Sequence, residues 1–135
     1  MNKVLIIFCG LFVILAVSCF DAETNYPARS SGNVFVHNDT SSGQTITRIT
    51  ITSDPALYGA TTTYHNNRVS ILQGSKSQGF ELSISYDERL GILWNRFRVT
   101  ITLDDNSTKF IDIRVYEDID TNLRYNGTDI IEDSI

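Results

Sequence analysis

An all-β fold, an antiparallel β-sandwich of seven to eight short strands, is predicted for this 135-residue chain from residue 33 onward. Three observations carry the prediction. Apolar and polar residues alternate with a period of two, in runs rich in Thr, Ile, Val and aromatic residues, the pattern of strands buried on one face. Turn residues punctuate these runs at short intervals. No stretch of the same region combines helical periodicity with capping residues. Strands with one apolar face each bury it by packing as two sheets. An immunoglobulin-like sandwich is therefore expected, with a small β-barrel as the alternative.

The elements follow in chain order. Asn33 to His37 is a short first strand. Gln44 to Thr52 is the second; its apolar residues Ile46, Ile49 and Ile51 change parity, which predicts a bulge near Thr47 and Arg48. Ser53 to Asn67 carries turn chemistry in Asp54-Pro55, Gly59 and Asn66-Asn67, and is expected to cross between sheets. Arg68 to Leu72 is the third strand. Gln78 to Tyr86 is the fourth, with Phe80, Leu82, Ile84 and Tyr86 on one face. Arg96 to Leu103 is the fifth and clearest: Phe97, Val99, Ile101 and Leu103 face inward, and Arg96, Arg98, Thr100 and Thr102 outward. Lys109 to Tyr116 is the sixth. The inward residues of the fifth and sixth strands are all odd-numbered, so the turn between them needs an odd length. A three-residue turn, Asp105-Asn106-Ser107, centred on Asn106, pairs Ile101 with Ile111 and Val99 with Ile113. Asn122 to Tyr125 and Thr128 to Ile131 flank Asn126-Gly127, a strong hairpin signal.

The segment before the strands has a different character. One positive charge, Lys3, precedes an apolar run from Val4 to Val17. That run has the length of a signal-peptide core and falls short of the roughly 20 residues a spanning helix needs. It ends in Leu15-Ala16-Val17-Ser18-Cys19, with the small residue Ser18 immediately before the cysteine. The arrangement resembles the lipobox of bacterial lipoproteins, in which the cysteine is lipidated and becomes the new N-terminus. The resemblance covers the leader and Cys19 alone. It implies a signal peptide over residues 1–18, a lipidated Cys19 followed by a polar tether over 19–32, and a sandwich domain over 33–135. It also implies an exported protein held by lipid on the cell membrane or outer membrane, since two or more acyl chains anchor firmly where one does not. Ala16-x-Ser18 equally fits ordinary signal peptidase, which leaves secretion as the alternative.

Composition narrows the chemistry. Cys9 and Cys19 are the two cysteines, both in the first 19 residues. The strand region thus offers neither a disulfide nor a thiol nucleophile. The net charge of −5 argues against nucleic acid and against direct adhesion to anionic lipid. His37 and His65 lack partners at triad or metal spacing and read as surface histidines. Asp118-x-Asp120-x-Asn122 resembles the start of a calcium loop, but Leu123 stands where the sharp-turn Gly belongs; a polar turn between strands is the preferred reading. No catalytic residue, metal site or cofactor is assigned.

Asp87 to Asn95 is the apolar exception among the connections. Leu90, Ile92, Leu93 and Trp94 form a candidate partner-binding loop if exposed, or an extension of the neighbouring strands if buried. The sequons at Asn38, Asn106 and Asn126 fall at predicted turns. The expected function is that of a non-enzymatic, lipid-anchored binding or structural module of the bacterial cell envelope. Its partner beyond the membrane would be a protein or a glycan. The alternatives are a hydrolase inhibitor presenting the Asp87–Asn95 loop, and a carbohydrate-binding module using Trp94, Tyr58 and Tyr64.

Overall fold

A computed structural model describes residues 30–54, 56, 59, 61–84 and 94–133. The leader, Cys19, the first ten residues of the expected tether and the segment 85–93 lie outside the described residues. Eight strands are present: β1 (Ser30–Asn38), β2 (Ile46–Ser53), β3 (Thr63–Ile71), β4 (Phe80–Ile84), β5 (Trp94–Leu103), β6 (Thr108–Tyr116), β7 (Asp120–Tyr125) and β8 (Ile130–Glu132). They form two four-stranded sheets, in the orders β4-β1-β7-β8 and β3-β2-β5-β6. The fold is a β-sandwich, not a closed barrel. Its strand order refines the immunoglobulin-like expectation. An immunoglobulin domain pairs its first two strands in one sheet, whereas here β1 and β2 lie in opposite sheets. All pairings are antiparallel except that of β1 with β7, which runs parallel from Asn33–Asp120 to Asn38–Tyr125.

The period-two pattern is the cause of the layering. Phe97, Val99, Ile101 and Leu103 of β5 are buried, as are Phe80, Leu82 and Ile84 of β4 and Ile113 and Val115 of β6. The alternate residues of these strands face solvent. The expected irregularity in β2 is present: its register against both β3 and β5 shifts between Ile46 and Arg48, and Thr47 Oγ1 donates to the carbonyls of Thr102 and Leu103.

Four boundaries differ from the sequence reading, each for a physical reason. β1 begins at Ser30, three residues before the expected strand, and Ser30 to Gly32 pair with Ile84 to Leu82. Gly32 read as the end of a tether, but it serves close packing between the sheets. A Cβ there would lie 2.5 Å from the Tyr116 carbonyl oxygen and 2.6 Å from Val115 Cγ1. The 53–67 stretch does not cross between sheets. β2 and β3 are neighbours in one sheet, and β3 already starts at Thr63. The connection is closed by Ser53 N donating to Thr62 O and Thr62 N donating to Ser53 Oγ.

The β5–β6 turn keeps its odd length and its left-handed Asn, but sits one residue earlier. Ile101 pairs with Lys109, Val99 with Ile111 and Phe97 with Ile113. Leu103 N donates to Ser107 O and Asn106 N to Leu103 O, enclosing Asp104-Asp105-Asn106. In three-residue hairpin loops the left-handed residue comes last, after a type I turn. Asn106, at φ 65°, therefore fixes the loop at 104–106 rather than 105–107. The β7–β8 hairpin is likewise longer than the Asn-Gly pair suggested. Tyr125 pairs with Ile130, leaving a four-residue loop in which Asn126 Oδ1 accepts from the backbone N–H groups of Thr128 and Asp129.

Polar side chains knit the sheets together at the end carrying these turns. Tyr125 on β7 donates its hydroxyl to Gln44 Oε1 at 2.7 Å, and Gln44 Nε2 donates to Asp105 at 3.0 Å. Asn38 is fully buried, and its Nδ2 donates to the carbonyls of Gln44 and Ile71, both at 2.8 Å.

Candidate functional site

The outer face of the β3-β2-β5-β6 sheet concentrates charge in an otherwise acidic chain. Outward positions on neighbouring strands follow from the pairing register. Arg68 and Arg48 stand opposite each other on β3 and β2, in the same row as Thr102 and Thr108. The next outward row is Asn66, Thr50, Thr100 and Phe110. The row after it places Thr52, Arg98 and Asp112 side by side, and Arg96 faces Arg114 one row further on. Five of the chain's 11 basic residues thus share one sheet face. Asp54 pairs with Arg96 there and Asp112 with Arg98.

Two of the cross-strand neighbours are arginine against arginine. Directly opposite residues have Cβ atoms about 5 Å apart, where like charges destabilise a sheet. Arg48 turns its Nη1 to Asn66 Oδ1 at 2.8 Å. Arg96 is held from below by Asp54, whose Oδ2 lies 2.9 Å from Arg96 Nε. This contact is an ion pair without good hydrogen-bond alignment. Asp54 is fully buried and Arg96 is about one-third exposed, so the guanidinium remains partly open to solvent.

Arg98 is the most constrained of the five. It makes a two-pronged contact with Asp112, Nε to Oδ1 at 2.7 Å and Nη2 to Oδ2 at 2.9 Å, the strong fork geometry of arginine and carboxylate. Its guanidinium also lies 4.2 Å from the centre of the exposed Phe110 ring. The hydrogen bond from Arg98 holds the Asp112 carboxyl below its usual range, and the bond to Asp112 raises Arg98. Between the two arginine pairs lie Thr50, Thr52 and Thr100, short side chains that present hydroxyls. The face offers fixed cations, hydroxyls, a carboxamide and the exposed rings of Phe110 and, one row beyond Arg114, Tyr116. It has the means to bind an anion.

The acidic residues are gathered elsewhere. Asp39, Asp104, Asp105 and Asp129 lie in the turns at one end of the sandwich. Hydrogen bonds from Ser41 and Ser107 hold the carboxyls of Asp39 and Asp105 low. Beside the opposite end is a surface depression of about 460 Å³ whose lining includes Tyr116, Ile119, Asp120, Glu132 and Asp133. Among the described residues no group of three or more His, Cys, Asp or Glu is placed to hold a metal ion. The Asp118-x-Asp120-x-Asn122 series does not curl into a loop. Asp120 and Asn122 belong to β7, where Asp120 accepts from Asn33 and Asn122 from Lys76.

The residues singled out from sequence fare unevenly. Cys19, Leu90, Ile92, Leu93 and Tyr58 lie outside the described residues. Trp94 opens β5, its backbone opposite Tyr116. Tyr64 is 46% exposed, but its ring meets the core residue Phe97 edge-on at 5.3 Å. His65 is not an ordinary surface histidine. It sits opposite the core residue Ile51, on the inward side of β3 with Asn67 and Val69. Its Nε2 lies 2.8 Å from the Glu81 carbonyl and its ring packs against Phe80, so it clasps the edge strands β3 and β4 together. Asn38, in the first sequon, has its amide nitrogen consumed by two buried hydrogen bonds.

The arginine face was partly visible as the outward alternation of Arg96 and Arg98. Arg114 joins it through the β5–β6 hairpin, whereas Arg48 and Arg68 join it only through the pairing of β2 with β5, which strand composition does not reveal. Comparison with protein-family models, with curated proteins and with solved structures finds no match.

Proposed function

We propose that this chain is a non-enzymatic, lipid-anchored binding module of the bacterial cell envelope, and that it recognises an anionic ligand through the outer face of the β3-β2-β5-β6 sheet. The observation that carries the reading is the pairing of Arg48 with Arg68 on a face that also carries Arg96, Arg98 and Arg114. Arg48 and Arg68 set like charges opposite each other, an arrangement that disfavours the sheet. Clustering of that kind is favourable once an anion lies across it. The net charge of −5 makes the cluster more telling, because a basic face is not the background of this surface. Lipid on Cys19 supplies the anchor, and the polar residues after it supply the tether.

Two experiments test the two halves of this reading. Intact mass spectrometry of membrane-extracted protein, wild type against Cys19→Ala, should find an acylated chain beginning at residue 19 only in the wild type. An unmodified wild-type mass would overturn the anchor. Affinity electrophoresis should show retardation in a polyuronate gel and none in a neutral glucan gel. The retardation should fade as salt rises from about 50 mM to about 0.5 M, where screening shortens to a few ångströms. Equal migration in both gels, at every salt concentration, would overturn the recognition surface.

A further inference from the structure

We infer that β6 is a self-recognition edge, along which two copies of this chain join antiparallel, Ile113 against Ile113, into one continuous sheet; the inference stands on that edge and not on the anion-binding reading. β6 closes one side of its sheet, and among the described residues no strand lies beyond it. It is nine residues long, holds no Pro, and pairs with β5 without a register shift from Thr108 to Tyr116. The other edges are blunted. β4 and β8 have five and three residues, and β3 is interrupted by register shifts against β2. A long regular edge presents its backbone groups as a template for another strand. Which groups face outward follows from the hairpin. Leu103 N donates to Ser107 O, which makes that pair a bonded one. Bonded and non-bonded pairs alternate along an antiparallel ladder. Lys109, Ile111, Ile113 and Val115 therefore bond to β5, and the backbone groups of Phe110, Asp112, Arg114 and Tyr116 point to the edge. The Tyr116 carbonyl accepts from Ile119 N at 3.4 Å, so the seam centres before it.

The edge is complementary to itself in one register. Phe110-Ile111-Asp112-Ile113-Arg114-Val115-Tyr116, reversed about Ile113, sets Asp112 opposite Arg114, Phe110 opposite Tyr116 and Ile111 opposite Val115. Each match occurs twice, as a two-fold interface requires. Asp112 and Arg114 are then a bonded pair, in agreement with the outward direction of their backbone groups. Centring the seam on Asp112 or on Arg114 instead sets like charges opposite each other, which destabilises a sheet. Phe110 and Tyr116 are 60% and 38% exposed, and aromatic rings directly opposite are among the favourable cross-strand pairs. Asp112 keeps its two-pronged contact with Arg98. Each carboxylate oxygen accepts at a second position, so a guanidinium of the second copy adds to that contact without displacing it. A single seam of this kind is smaller than a standard interface, so the dimer is weak, with a dissociation constant of roughly 10–100 μM.

Sedimentation equilibrium of the full-length protein in density-matched detergent tests the inference. The wild type should pass from monomer to dimer across that concentration range. Asp112→Arg sets Arg against Arg at both ends of the seam, and Arg114→Asp sets Asp against Asp. Each variant alone should associate at least about tenfold more weakly than the wild type, since every cross-strand effect counts twice. An equimolar mixture of the two should recover to within about threefold of the wild type, because each Arg of one chain then meets an Asp of the other. Asp112→Arg also loses the Arg98 contact, so cooperative melting of each chain is checked first. Where it does not fold, Arg114→Pro replaces the mixture. That change removes one outward N–H, which an edge strand tolerates, and should weaken the dimer at least about tenfold. A wild type that stays monomeric up to about 1 mM would overturn the inference and leave the edge to a strand of another protein. Variants that dimerise like the wild type, or a mixture of folded variants no stronger than its components, would overturn it as well.

Discussion

The Asp54 carboxylate is fully buried beside Arg96, with 2.9 Å between Oδ2 and Nε, while its Oδ1 accepts from the backbone N–H of Ala56. One partner is sealed from water and the other is partly open, so the two halves of the pair are unequal. Loss of Arg96 leaves a buried charge without compensation, a loss that costs about 3–5 kcal/mol in fully buried pairs. With Arg96 partly exposed, Arg96→Ala should cost about 2–3 kcal/mol in urea unfolding. Asp54→Asn combined with Arg96→Ala should recover part of that loss. A loss within about 0.5 kcal/mol for Arg96→Ala would show that Asp54 is stabilised by the backbone alone.

Asn38 links β1 to the start of β2 and the end of β3 through two carbonyl oxygens. Asn38→Asp replaces a double donor with a group that repels both acceptors, and Asn38→Ala leaves both carbonyls unpaired. Each carbonyl stranded in the interior costs about 1–3 kcal/mol, so Asn38→Ala should lower stability by at least 2 kcal/mol on that scale and Asn38→Asp by more. The same burial has a chemical readout. When the chain is secreted from a eukaryotic host, peptide mapping should find Asn38 without a glycan although it begins a sequon.

Stability should fall at both extremes of pH, for opposite reasons. Burial raises the Tyr125 phenol above its ordinary value, and Asp105, Asp104 and Asp129 add to the shift. A raised value in the fold means full stability below the unfolded value, about 10, and progressive loss as pH climbs towards the folded value. Melting temperatures above pH 10 should drop in the wild type and drop less steeply in Tyr125→Phe, from a lower starting point because its bond to Gln44 is gone. On the acid side, the Arg98 hydrogen bond depresses Asp112. Its contribution is complete above the unfolded value near 4 and is lost as pH falls through the folded value. Asp112→Asn should flatten the acid limb of the same curve.

Arg48 and Arg68 oppose each other, and among the described residues no carboxylate forms an ion pair with either. Replacing both by Ala should leave the thermal midpoint unchanged or raise it by a few degrees, since a repulsive pair is removed. Polyuronate binding should fall at least about tenfold in the same variant, as sites kept for function commonly cost stability. A clear loss of stability together with unaltered binding would place the pair among the structural residues.

The sandwich was legible because its determinants are local. Alternation in Phe97, Val99, Ile101 and Leu103, the parity change in Ile46, Ile49 and Ile51, and the left-handed Asn106 each act within a few residues. What escaped depends on partners distant in the chain. Gly32 looks like a linker until β6 is laid across it. His65 looks exposed until β3 pairs with β2 and sets it opposite the core residue Ile51, facing β4. The arginine face exists only once β2 lies against β5, and nothing in either strand alone specifies its neighbour. The Leu90–Trp94 segment was read from composition, and Leu90 to Leu93 lie outside the described residues.

Ser30 is where the fold receives the chain that precedes it, and from there β1 runs between two neighbours, antiparallel to β4 and parallel to β7. A pull on that preceding chain is directed along a central strand, roughly at right angles to its hydrogen bonds. Bonds arranged in this way share the force and must break together. A strand pulled sideways from a sheet edge gives up its bonds one after another. If Cys19 carries the proposed lipid anchor, traction transmitted through it would load the bonds of β1 in shear.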